Sequence, residues 1–169
     1  MDKYIEVLLE KRNVRYVARM LFEEAPKTCE KIWAALPQEG ELFHAKYASN
    51  ELFTLVRDFS GGYTAAENLT VTPSIGDLLY FYFPPTSKFP RGTEYLTSEG
   101  RGLVDLALFY DRDNLLLSPS VGFTPGTVFA RAVGHLEPMR DAGHHIWRKG
   151  CAGERLIFRQ LPPNEVPQR

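Results

Sequence analysis

A chain of 169 residues fits one ordinary domain, and its 44% hydrophobic and 24% charged residues are those of a globular protein. Twenty Lys and Arg against 21 Asp and Glu leave a formal net charge of −1. That balance lacks the basic footprint of a nucleic-acid binder, so no nucleic-acid partner is expected. Asp2, Lys3, Glu6 and Glu10 spoil any secretory signal at the N-terminus, and no stretch approaches the roughly eighteen apolar residues that span a bilayer. The two cysteines, Cys29 and Cys151, have no disulfide-framework or metal-ligand spacing, so a cytoplasmic protein with reduced thiols and no membrane partner is expected.

In chain order, residues 4–9 and 15–22 are β-prone runs around the polar break 10–13 and predict an opening hairpin. Tyr16, Ala18, Met20 and Phe22 alternate with Arg15, Val17, Arg19 and Leu21, the period of a half-buried strand. Cys29, Ile32, Trp33 and Leu36 share one face of a short helix that Pro26 opens and Pro37 stops. Residues 42–47 and 52–56 predict a second hairpin around Ala48, Ser49 and Asn50, and 58–66 a loop. A short strand is expected at 69–71. The aromatic run 78–83, bounded by Gly76-Asp77 and Pro84-Pro85, predicts a buried strand.

Residues 86–102 hold three glycines and many charges and predict a long loop, of the kind that is often functional. Residues 103–110 predict a strand, and 115–117 with 127–133 a pair joined through the turn-rich 118–126. Leu136, Met139, Gly143, Ile146 and Trp147 fall on one helical face, with Gly150 as its stop. Residues 155–161 close the chain as a last strand. The expected organisation is a single domain over 1–161 and a flexible tail over 162–169, which holds three prolines. Many short strands and two helices imply a mainly β protein, a closed β-barrel capped by the helices, because closure removes exposed sheet edges. A two-layer α+β sandwich is the alternative.

The segment Met20-Leu21-Phe22-Glu23-Glu24-Ala25-Pro26-Lys27-Thr28-Cys29-Glu30 resembles the passage by which cyclophilins leave their second strand and enter their first helix. Residues 34–37, 44–47, 50–53, 67–68, 76–81 and 130–150 further resemble a bacterial family of cyclophilin-like proteins of unknown function, over roughly 4–160. That resemblance implies a closed cyclophilin-like barrel of about eight strands with two capping helices, and no established activity. Prolyl isomerase activity is not expected: true cyclophilins carry an Arg with an aromatic neighbour and then a Gln-Gly-Gly run. Arg57, Phe59 and Gly61-Gly62 are only a distant echo of that set.

Several chemistries find little support in the spacing. His44, His135, His144 and His145 show no metal-ligand pattern, and neighbours on a helix point about 100° apart, so no metal or other cofactor is expected. No nucleophile elbow or phosphate-cradling loop is present. Cys29 reads as a small core hydrophobe, and Cys151, near His144, His145, Arg148 and Lys149, as the better thiol candidate.

What remains is a polar pocket. His44, Tyr47 and Glu51 flank a hairpin, Glu67 and Asn68 precede a strand, and Tyr80 adds an aromatic hydroxyl, the mixture that orients and buries a small molecule. The leading expectation is a binding module for a small polar metabolite or a peptide segment, using His44, Tyr47, Glu51, Glu67, Asn68 and Tyr80. The alternative is a small-molecule hydrolase or isomerase with His44 and Glu67 as acid/base residues. A third is a homo-oligomeric interaction protein using Phe89 and Tyr95.

Overall fold

The computed structural model describes residues 2–64, 66–87, 100–119 and 121–166. Most of the expected loop 86–102, with Phe89 and Tyr95, and residues 167–169 of the expected tail lie outside them.

The chain opens with the expected hairpin, β1 (Tyr4–Leu9) and β2 (Val14–Met20), paired from Tyr4↔Arg19 to Leu9↔Val14. Its turn is pinned by the Glu154 carboxylate, which accepts hydrogen bonds from the backbone N–H of Lys11 (2.7 Å) and Arg12 (3.1 Å). Phe22 falls beyond β2. Helix α1 (Pro26–Ala35) has no capping side chain at Ala25. The distant Glu67 supplies the cap, accepting the Lys27 and Thr28 amides and the Thr28 hydroxyl, where a helix N-terminus leaves unpaired donors.

The chain then forms β3 (Gln38–Glu41), β4 (Phe43–His44), β5 (Glu51–Arg57), β6 (Leu69–Thr70), β7 (Asp77–Phe83) and β8 (Leu103–Phe109). The short β9 (Leu117–Ser118) and β10 (Gly122–Phe123) and the long β11 (Gly126–Val133) precede α2 (Glu137–Lys149) and β12 (Arg155–Gln160). A 3-10 turn, Pro163–Glu165, follows. Among the described residues no helix is long and apolar enough to cross a membrane.

Among the described residues ten strands form one antiparallel sheet in the order β3-β12-β1-β2-β11-β7-β8-β5-β4, with β6 on β11. The ends of that path approach each other. A Cβ on Gly40 of β3 would collide with the Thr54 hydroxyl of β5 and sit 3.2 Å from the Leu55 carbonyl, so glycine lets the two backbones meet there.

Two departures from the sequence expectations have simple causes. Residues 115–117 do not pair with 127–133: β9 pairs with its neighbour β10, while β11 lies between β2 and β7. The turn-rich link 118–126 is long enough for a local hairpin, which satisfies its own backbone and frees β11 for the sheet. Strand β3, Gln-Glu-Gly-Glu, carries no apolar pattern and forms because it extends the edge of β12, Gln38↔Phe158 to Glu41↔Arg155.

One face of the sheet and both helices share the main core, which includes Ile5, Val7, Leu52, Leu78, Tyr80, Leu106, Phe129 and Phe158. Helix α1 inserts Cys29 and Ile32 at the end where β1 begins: the Gln160 amide donates to the Trp33 carbonyl, and the Lys3 ammonium sits 4.7 Å over the Trp33 ring. Helix α2 inserts Met139, Ala142 and Ile146 at the other end, where a Cβ on Gly143 would come 2.6 Å from the Tyr110 ring. Trp147, expected on that buried face, is 68% exposed, and the residues α2 buries are Met139, Ala142, Gly143 and Ile146. Gly150 ends α2 at φ 84°, as its composition predicts.

Candidate functional site

The second face of β5, β8 and β7 does not join the main core. Strand alternation sends Glu51, Phe53 and Leu55 to this side, and the register sets them against Phe109, Ala107 and Asp105 of β8. From β7, Leu79 and Phe81 lie against Ala107 and Asp105. Leu79, Phe81, Ala107 and Phe109 pack with Leu21, Leu116 and Val128 into a smaller apolar cluster. Beside it opens a cleft of about 550 Å³, floored by Glu51, Phe53, Asp105, Phe81 and Phe83 and walled by residues 45–48 and the 116–124 segment. The size suits a small molecule.

Two carboxyls face this cleft. Glu51 and Asp105 are each 6% exposed. Burial pushes Glu51 up to about 8, from 4.5. Burial, and then the Glu51 charge, hold Asp105 well above the usual carboxylate range. Among the described residues Asp105 Oδ1 is buried with no hydrogen-bond partner, whereas the other buried side-chain atoms without one, on Tyr16, Thr54 and Thr127, are hydroxyls. A buried charge ordinarily requires a partner, so an acid left without one is anomalous.

Both walls of the cleft are anchored at the α2 end. His44, just before the 45–48 wall, keeps its Nδ1 2.8 Å from the Ala45 carbonyl and its Nε2 2.7 Å from the Tyr110 hydroxyl. The carbonyl cannot donate, so Nδ1 carries the proton and the Tyr110 hydroxyl donates to Nε2. Burial lowers the His44 pKa, the Ala45 bond opposes this, and nearby His144 lowers it further. Burial pushes Tyr110 up to about 12, with the Asp111 charge adding to it.

Asp111 accepts from His144 Nε2 (2.7 Å) and Arg140 Nε (2.8 Å) on α2. Burial would raise its pKa, but the hydrogen bonds from the Arg112 amide, His144 and Arg140 hold it down. Asn114 then joins the walls: its Oδ1 accepts the Asn50 amide, and its Nδ2 donates to the Asp111 and Pro73 carbonyls.

The six residues expected at a pocket are therefore spread over the molecule. Tyr47 and Glu51 line the cleft. His44 belongs to the Tyr110 network behind its wall. Glu67 caps α1, and Asn68, at φ 44°, donates to the Val128 carbonyl. Tyr80 is in the main core with its hydroxyl on the Tyr63 carbonyl. Glu67 and His44, paired as acid and base in the alternative reading, engage different partners.

Asp105, Tyr110 and Asp111 were missed. Asp105 was visible in principle, as the lone acid inside the apolar run 103–110. The thiols are quiet: Cys29 donates to the Phe129 carbonyl and burial pushes it up to about 12, and burial likewise raises Cys151.

Residues 7–158 match the family described as "Protein of unknown function (DUF3830)". The chain belongs to that family. A family of unknown function is what the sequence resemblance implied. No curated protein matches this DUF3830 chain.

Among solved structures, McbB in complex with tryptophan is similar at 19% identity and a TM-score of 0.66, over 98% of this chain and 46% of that one. The chain thus spans about half the length of McbB. A hypothetical protein from Archaeoglobus fulgidus, AF2241, matches at 15% identity and a TM-score of 0.50, over 95% of each chain. The Mimivirus cyclophilin matches at 12% identity and 0.48, over 99% of this chain and 93% of that one. At these identities the McbB and AF2241 likenesses show a shared fold.

Proposed function

We propose that the protein is a small-molecule binding module whose site is the cleft over β5, β8 and β7, outside a closed cyclophilin-like barrel. The approach of β3 to β5 at Gly40 supports closure, because it brings the two ends of the strand path together. The main core then fills the barrel interior with buried side chains such as Tyr80, Phe129 and Phe158, leaving the outer face to take a ligand.

The observation that carries this reading is the pair of buried acids facing the cleft, one with an oxygen that has no partner. A fold keeps such groups at a cost to stability, and a bound ligand that supplies the missing partner removes that cost. Tyr47 and Glu51 belong to the site in this reading. His44 acts through Tyr110 to hold one wall.

The test is a thermal-shift screen of a metabolite panel that includes tryptophan, run on the natural protein and on Ala45→Trp, whose indole fills the cleft from its wall. A ligand at about 100 times its Kd stabilises by about 2.7 kcal/mol, a readable shift. The expected result is hits on the natural protein that vanish in Ala45→Trp. Hits that survive the substitution, or none across the panel, overturn the proposal.

A further inference from the structure

We propose that the cleft takes an organic dication, an aliphatic α,ω-diamine or polyamine, with one ammonium group at Asp105 and another at Glu51. The inference rests on the cleft being the binding site and names its ligand class.

Charge count comes first. Among the described residues the charged groups facing the cleft are Glu51 from β5, Asp105 from β8 and, on the exposed rim, Lys46. Strand β7 offers only Phe81 and Phe83, and the 116–124 segment lines the cleft with no charged residue. Neither acid has a salt bridge among those found in the described residues. Two acids without counter-ions in one apolar cleft match a ligand carrying two positive charges, since a buried charge is tolerated when it is paired.

Spacing comes second. Asp105 is opposite Leu55, four positions along β5 from Glu51, with the Phe53–Ala107 pair between them. Four strand positions are about 13 Å of backbone. The backbone thus sets the two acids apart along an apolar floor, while their side chains come close enough for the Glu51 charge to act on Asp105. A ligand that gives each acid its own ammonium carries two charges on an apolar spacer laid along Phe53, which is the form of a diamine. Phe53 and Phe81 give that spacer aromatic surface, and ring faces also attract ammonium groups. The unpartnered Asp105 Oδ1 is an acceptor awaiting an N–H donor.

Binding would be linked to protons. Burial keeps Glu51 protonated up to about pH 8 when no cation is present, and an ammonium beside it favours the charged form, so binding expels a proton. Diamine affinity should rise as the pH climbs towards 8, while the ligand itself stays charged.

Calorimetry with 1,4-diaminobutane, 1,5-diaminopentane and spermidine, against butylamine and 1,4-butanediol, tests the proposal on the full chain. The expected result is that at least one diamine or polyamine binds about tenfold or more tighter than butylamine, as a second charge-assisted contact requires, and that the diol does not bind. Glu51→Gln and Asp105→Asn should each reduce diamine affinity to the butylamine level, Ala45→Trp should abolish binding, and proton release should be measurable at pH 7.

Butylamine matching the diamines, or diamine binding untouched by all three substitutions, overturns the inference. If a neutral or anionic compound fills the cleft and every diamine fails, the inference falls while the binding site stands. If compounds of every charge fail, both fall.

Discussion

The fold treats its buried acids in two opposite ways. Glu154, fully buried, accepts the Lys11, Arg12 and Arg155 amides and a 2.9 Å ion pair from Arg12 Nη1. Glu6 receives Arg15 and Arg159, Asp77 receives Arg131 and the Ser74 amide, and Asp111 receives His144 and Arg140. Each of these four carboxylates fixes a turn or joins strands and helices. Glu51 and Asp105, also buried, have no such cation among the described residues and share one cleft. A sequence able to neutralise four acids could neutralise six. The contrast sets the cleft pair apart from the acids that hold the fold together, and under the proposed function a bound ligand supplies the missing partner.

The sharpest test of that contrast is Glu154→Ala. Three backbone donors and the Arg12 guanidinium lose their acceptor at once, so urea denaturation should show a loss of about 3–5 kcal/mol. A loss below about 1 kcal/mol would erase the distinction.

Glu51→Gln should go the other way. With its pKa at about 8 in the fold and near 4.5 when unfolded, Glu51 binds more protons folded than unfolded between those pH values. Stability therefore falls as pH rises from about 4.5 to about 8, and the penalty is complete above that window. The glutamine variant should be more stable than the natural protein by about 1–3 kcal/mol at pH 8.5, with the gain vanishing near pH 4. Melting temperatures of the two proteins across that range decide it, and parallel profiles would count against a strained acid.

The smallest effect belongs to Arg140→Ala. Arg140 is half-exposed and His144 still holds Asp111, so the loss should stay under about 1 kcal/mol and shrink in high salt.

The strands with strong local patterns were legible: β1 was placed residue for residue, and β7, β8 and both helices nearly so. The partner of β11 was not, because pairing between distant strands leaves no local trace. Nor was β3, whose residues extend only because β12 has an open edge. Glu51 stood out as a polar residue beside a strand. Asp105 did not, because an acid in an apolar run looks like an accident until the register shows what it faces. Glu67 looked like a pocket acid because nothing in the sequence says that a helix opening 41 residues earlier lacks its own cap, a distance read from Pro26 to Glu67.

The alternation along β5 has an evolutionary consequence. Leu52, Thr54 and Val56 turn one way, into the interior that keeps the protein folded, while Glu51, Phe53 and Leu55 turn the other. Neighbouring codons therefore answer to different selection. If the cleft binds as proposed, replacements at 51, 53 and 105 retune which molecule is held without disturbing the packing on the reverse side.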